Sequence, residues 1–119
     1  MKKMYIAVFD GAPDYMVPTL VAHTILNAHE MFTSPGRSAE QLAVYADWKQ
    51  NSFRKVVVRV NDREFDKIHS TLDCWAGGES TICNGAQTCL VVIPVENDNV
   101  PNVLKFAKLW KPKPVEALT

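Results

Sequence analysis

Three histidines and three cysteines are the residue types of this chain best suited to chemistry. His23 and His29 are six residues apart on one stretch of helical pattern, about 120° apart around the axis. They do not chelate one ion from neighbouring positions. His69 adds no ligand spacing, and Cys74, Cys83 and Cys89 have no C-x-x-C spacing, so no metal site is expected. His23 falls beside the apolar stripe of its helix with Thr19, Asn27 and Glu30. An imidazole at the edge of a buried face can act as a general base. The plainer reading is a partly solvated packing residue. His29, on the other edge with Ala22 and Leu26, reads as structural. A cysteine nucleophile needs a base beside it and a depressed pKa. Cys89 lies inside a strand pattern and reads as inert, so a cysteine hydrolase is not expected.

The stretch from Asp73 to Thr81, Asp-Cys-Trp-Ala-Gly-Gly-Glu-Ser-Thr, is polar and has two glycines. Loops of this kind hold binding groups more often than the elements they join. It is not a phosphate loop, because the lysine and the glycine spacing are missing. The bland alternative is an ordinary connection. Basic residues fall in two groups. Lys105, Lys108, Lys111 and Lys113 have no acid between Asn99 and Val115, and Lys49, Arg54, Lys55 and Arg59 form the second group. Trp48, Trp75 and Trp110 lie in or near these segments. Cations with nearby aromatics can hold an RNA backbone and stack on bases. A solvated helix face around core aromatics has the same appearance.

At 119 residues the chain fits one domain, and 47% hydrophobic residues suffice for a packed core without disulfides or a structural metal. Lys plus Arg number 13 and Asp plus Glu number 13, so a coat of basic charge for nucleic acid is excluded, although a local basic face is not. No apolar run approaches the ~18 residues of a membrane span. The opening apolar run ends at Asp10, too short for the ~7–15-residue core of a signal peptide. The odd cysteine count points to free thiols in a reducing compartment, hence to the cytoplasm.

These groups must be positioned by alternating strands and helices. Residues 4–9 are a continuous apolar run and read as a strand buried on both faces. Asp10 to Asp14 is a loop. A helix follows over 16–32, with Val17, Leu20, Val21, Thr24, Ala28 and Phe32 inside and Pro18 tolerated only near its first turn. Ser38 and Gln41 have capping-box spacing and start a helix over 39–50. Residues 54–60, with three consecutive valines, form the clearest strand. Asn61 and Glu64 repeat the cap spacing before a helix over 62–71. Residues 73–87 read as a long loop with at most a short strand, 88–95 as a strong strand, and 100–110 as the closing helix. The order argues for a central sheet with helices on both faces. The strands at 4–9 and 54–60 should be parallel, because two helices intervene as a crossover.

The pattern resembles the type II peptidyl-tRNA hydrolases. The opening Lys-Met-Tyr-Ile-Ala-Val-Phe-Asp is similar to that family's first strand. Met16 followed by Leu20-Val21-Ala22-His23 is similar to its Met and Lys-Val-Ala-Ala-Gln. Lys55 to Val60 is close to its second strand. Asn84-Gly85-Ala86-Gln87-Thr88-Cys89-Leu90 resembles its Pro-Gly-Ser-Gln-Thr-Val-Leu. Val103 to Trp110 resembles its closing helix. The likeness covers roughly residues 3–110, and the short length is similar to a divergent branch found in phages as well as cells. It implies a three-layer α/β/α fold around a small four-stranded mixed sheet. Residues 1–111 would form the single domain and 112–119 a loose tail.

The resemblance also implies cleavage of the ester between peptide and tRNA, with no cofactor. Two departures bear on this. The family's helix lysine falls on Thr19 or Leu20, and its Asp-Ala-Gly-Arg-Thr stretch falls on Ala76 to Ser80. Asp73 or Glu79 would have to supply the carboxylate, and Ser80 or Thr81 the hydroxyl. Hydrolysis needs an activated water and stabilisation of a developing oxyanion. In the absence of the lysine, His23 would substitute, oriented by Asp73 or Glu79, with Ser80 or Thr81 holding water. Thr19, Asn27, Gln87, Thr88, Lys105 and Lys108 would contact substrate. If tRNA binds, some of Lys49, Arg54, Lys55, Lys105, Lys108 and Lys111 should gather on a face bordering the cleft at His23. The alternative is a catalytically inactive member of the family that binds a protein or small ligand, as in regulation or phage counter-defence. Neither reading involves a membrane, and a homodimer is compatible with both.

Overall fold

The structure is a computed structural model and describes residues 1–114. The apolar run at the start forms strand β1 (Lys2–Phe9), the centre of a mixed sheet. Its side chains alternate between two cores: Met4, Ile6 and Val8 point to one face, Tyr5 and Ala7 to the other. That is why the run carries no polar alternation. A short 3-10 turn (Asp14–Met16) leads into helix α1 (Val17–Phe32), with Pro18 in the first turn, where its missing N–H breaks no helical bond. Helix α2 (Ala39–Asn51) starts at the Ser38–Gln41 capping box, in which each side chain bonds the other residue's backbone N–H. Strand β2 (Arg54–Val60) then pairs parallel to β1 from Lys3↔Arg54 to Phe9↔Val60. The crossover expectation is met. Helix α3 (Asp62–Thr71) has its own reciprocal cap, Asn61 with Glu64.

The region read as a long loop with a short strand contains that strand, β3 (Cys74–Gly78), antiparallel to β4 (Gln87–Val92). The strand expected over 88–95 is interrupted. Pro94 has no N–H for the ladder, so β4 stops at Val92 and a two-residue strand, β5 (Val95–Glu96), resumes the pairing with β1 at Lys2 and Lys3.

The closing helix departs most from expectation. Only α4 (Asn102–Lys105) is helical, and Lys108–Leu109 forms strand β6 against β2. The Trp110 N–H also donates to Val57 O at 2.9 Å. The free edge of β2 offers unpaired backbone groups, and that demand outweighs a weak helical preference. The main order is β3-β4-β1-β2-β6, with β5 also on β1. Among the described residues the protein is therefore an α/β fold with four α-helices and a mixed sheet of six strands rather than four, two of them only two residues long. Helices α1 and α2 pack on one face, around Leu20, Phe32, Tyr45 and Trp48. Helices α3 and α4 pack on the other, around Phe65, Ile68 and Leu104.

The segment expected to be a loose tail begins tied down. Asp14 accepts a bond from the Lys113 N–H at 2.6 Å, and Lys113 Nζ donates to Asp10 O at 3.2 Å. Residues 115–119, the rest of that expected tail, lie outside the described residues. No helix of the described residues is long and apolar enough to cross a membrane.

Candidate functional site

The expected catalytic group does not assemble. Asp73 precedes β3 and is a third exposed. Its two oxygens accept a fork of bonds from Arg37, Nη1 to Oδ1 at 3.0 Å and Nη2 to Oδ2, and Gln41 Nε2 reaches Oδ2 at 3.4 Å. The Arg37 guanidinium also lies 5.2 Å from the centre of the Phe32 ring. That places Asp73 at the C-terminal end of α1. His23 sits nine residues before Phe32, about 13 Å back along the axis. The two cannot hydrogen-bond, which corrects the expected pairing. His23 is exposed and makes no hydrogen bond or ion pair among the described residues. Nor does Glu79 orient it, because Glu79 Oε1 serves its own turn. It accepts from Ser80 Oγ at 3.4 Å, Thr81 Oγ1 at 3.2 Å and Thr81 N–H at 3.4 Å. Ser80 and Thr81 are exposed.

At the expected position of the family's lysine, Thr19 is exposed and Leu20 is fully buried in the core. Gln87 is exposed at the start of β4. Thr88 is buried, and its hydroxyl has no hydrogen-bond partner. It is walled off from any substrate in solution. Asn27 lines a shallow depression with Trp75 of β3. His23, Glu79, Ser80, Thr81 and Thr88 line none of five depressions on the surface of the described residues.

The basic residues do not gather into one face. Lys49 and Lys55 border depressions on the α1–α2 side. Lys105 lies by Lys3, Tyr5 and the 97–100 turn, and Lys108 by Asp10, Arg59 and Glu64 at the carboxyl ends of β1 and β2. That last crevice is where parallel sheets commonly receive ligands. Two of its charged side chains, Arg59 and Glu64, hold partners, although Arg59 Nη1 is buried without one. Arg59 donates to Asp14 Oδ1 at 3.2 Å and Lys111 O at 2.6 Å, and Glu64 caps α3.

Cys74 and Cys89 offer no activated nucleophile. Burial pushes Cys74 up to about 11, with the Asp73 charge adding to it, and burial pushes Cys89 up to about 12. Cys83 is exposed, and its Sγ contacts Gly11 O at 3.6 Å. His29 is structural, as expected: its Nδ1 is 2.8 Å from Tyr45 Oη. Among the described residues no cluster of three or more His, Cys, Asp or Glu could hold a metal ion.

Sequence reasoning missed Arg37 and Phe53. No local pattern marks Arg37, whose partner is 36 positions away. Nor does a local pattern mark Phe53, whose left-handed backbone, φ 58°, appears only in the structure, just after α2 ends at Asn51. The chain matches no family model and no curated protein sequence.

Proposed function

We propose that this chain is a binding protein on a scaffold like that of the type II peptidyl-tRNA hydrolases, and that it does not hydrolyse the peptidyl-tRNA ester. The parallel pairing of β1 and β2, with β4 antiparallel on the other side of β1, supports the scaffold. The observation that carries the functional reading is the pairing of Asp73 with Arg37 and Gln41. It leaves His23 with no carboxylate to set its tautomer or stabilise its charged form, and a general base needs such a partner to be effective. Buried Leu20 and neutral Thr19 supply no positive charge for an oxyanion. The scattered cations support a partner other than tRNA.

The test is incubation with labelled peptidyl-tRNA, read as release of free tRNA. The expected result is a rate equal to that of buffer, unchanged in His23→Ala. Turnover that His23→Ala abolishes overturns the reading. Mobility-shift titration with tRNA across salt gives the second measurement. Little or no binding is expected at low salt. A log–log slope of about −2 to −3, the release expected from three phosphate contacts, would instead make the ligand an RNA.

A further inference from the structure

Two shallow depressions meet along the seam of α1 and α2. One, of about 270 Å³, is lined by Ile25, Leu26, Tyr45, Trp48 and Phe53. The other, of about 360 Å³, runs on between Thr33, just past α1, and Leu42 and Ala46 of α2. Tyr45 and Lys49 line both, so the two form one groove. Its lining is mainly aliphatic and aromatic. Each part is near the lower limit of a small-molecule pocket, ~300 Å³, which suits inserted side chains better than a cofactor.

Three features mark this groove as more than ordinary surface. Leu26 is 71% exposed and Phe53 54% exposed at its rim. Phe53 holds a backbone φ of 58°, in the left-handed region where glycine normally ends a helix. Its N–H closes the helix end by donating to Trp48 O at 2.6 Å. A glycine would close the helix without strain, whereas this chain accepts the strain and sets an aromatic ring at the groove mouth. Lastly, the charge is one-sided. Lys49 and Lys55 border the groove, no carboxylate lines it, and neither lysine has an ion-pair partner among the described residues. Lys55 Nζ sits 3.1 Å from the centre of the Phe53 ring and donates only to Phe53 O at 2.8 Å. Burial against those rings lowers its pKa, so an arriving carboxylate would meet a partly desolvated cation.

We propose that the α1–α2 groove docks an acidic segment of a protein partner, with apolar side chains entering between Leu26 and Phe53 and carboxylates reaching Lys49 and Lys55. Single-stranded nucleic acid fits less well. Trp48 and Tyr45 are 1% and 4% exposed, so only Phe53 and the exposed His29 ring could stack on a base, while Leu26, Leu42 and Ala46 offer neither a stacking face nor a base-edge partner. This inference rests on the binding-protein reading for its biological sense. The hydrolysis assay decides that reading without involving the groove.

The test is selection of short random displayed peptides on the wild-type protein, with the Leu26→Ser/Lys55→Glu variant as counter-target. Both positions are exposed, and circular dichroism should show an unchanged fold. The expected result is peptides that prefer wild type and combine Leu, Phe or Trp with several Asp or Glu. Lys49→Glu and Lys55→Glu should each weaken them by about ten-fold, and Lys105→Glu should not. Amide shifts on binding should concentrate in residues 25–33 and 42–55. The proposal is overturned if no peptide prefers wild type, or if the preferred peptides are neutral or basic. It is also overturned if the shifts fall elsewhere, if the chain pairs with itself through Leu26, or if an oligouridylate binds these residues more tightly than the peptides.

Discussion

Arg37 takes both oxygens of Asp73 from 36 positions away, and with them the carboxylate that the 73–81 loop offered for catalysis. A side chain's type gives its repertoire, and its neighbours select from it. The cysteines obey the same rule. Cys83 is exposed, Cys74 half-buried and Cys89 fully buried. Burial raises Cys74 to about 11 and Cys89 to about 12, because the thiolate loses its hydration in the apolar interior. Ellman's reagent at neutral pH should therefore modify one thiol in the native protein, and all three in denaturant. Rapid native labelling of a second thiol would contradict this burial. Cys83→Ser should abolish the native reaction.

Helix α1 lies close against β3 because Gly77 has no side chain. A Cβ at Gly77 would fall 2.4 Å from Thr24 Oγ1 and 2.8 Å from Thr24 Cγ2. Thr24 cannot swing away easily: it is buried, β-branched and bonded to Leu20 O at 2.7 Å. Gly77→Ala should thus destabilise the protein by about 1–3 kcal/mol, the usual range for overpacking. Urea unfolding reads this as a lower midpoint, and adding Thr24→Ala should recover part of it. An unchanged midpoint would mean that the close packing is not required. In sequence Gly77 belongs to a flexible loop, whereas in the fold it is a packing residue inside a strand.

The C-terminal segment straps the sheet's β2 edge and then crosses to the start of α1. Strand β6, the Trp110 N–H and the Arg59–Lys111 bond hold its first part, and Asp14 holds the Lys113 N–H. The Asp14 carboxyl is held below its ordinary 3.8, first by the Lys113 backbone N–H and then by Arg59. A depressed folded pKa contributes stability above the unfolded value and loses it as pH falls through the folded one. The strap's contact at Asp14 should therefore be intact at neutral pH and weaken only below 3.8. The protection factor of the Lys113 amide, followed by NMR, should fall in that range. Asp14→Asn should exchange faster at neutral pH and lose this pH step. A protection factor independent of both would show that Asp14 does not hold the strap. The zero net charge fits a molecule whose cations are spread over opposite faces rather than focused on one.

Local rules made much of this architecture legible before any coordinates. The apolar run at 4–9, the two cap spacings and the valine strand at 54–60 correspond to β1, α2, α3 and β2, because caps and periodicity act within a few residues. The parallel β1–β2 pairing followed from the crossover that two helices require. Three-dimensional contact governed the rest. Whether residues 108–109 joined a helix or a strand depended on the free edge of β2, which no local window contains. Whether Asp73 could serve His23 depended on Arg37 and on the distance along α1. Elements arise from short-range geometry, whereas a site arises from which distant side chains the packing brings within about 3 Å, where hydrogen bonds form.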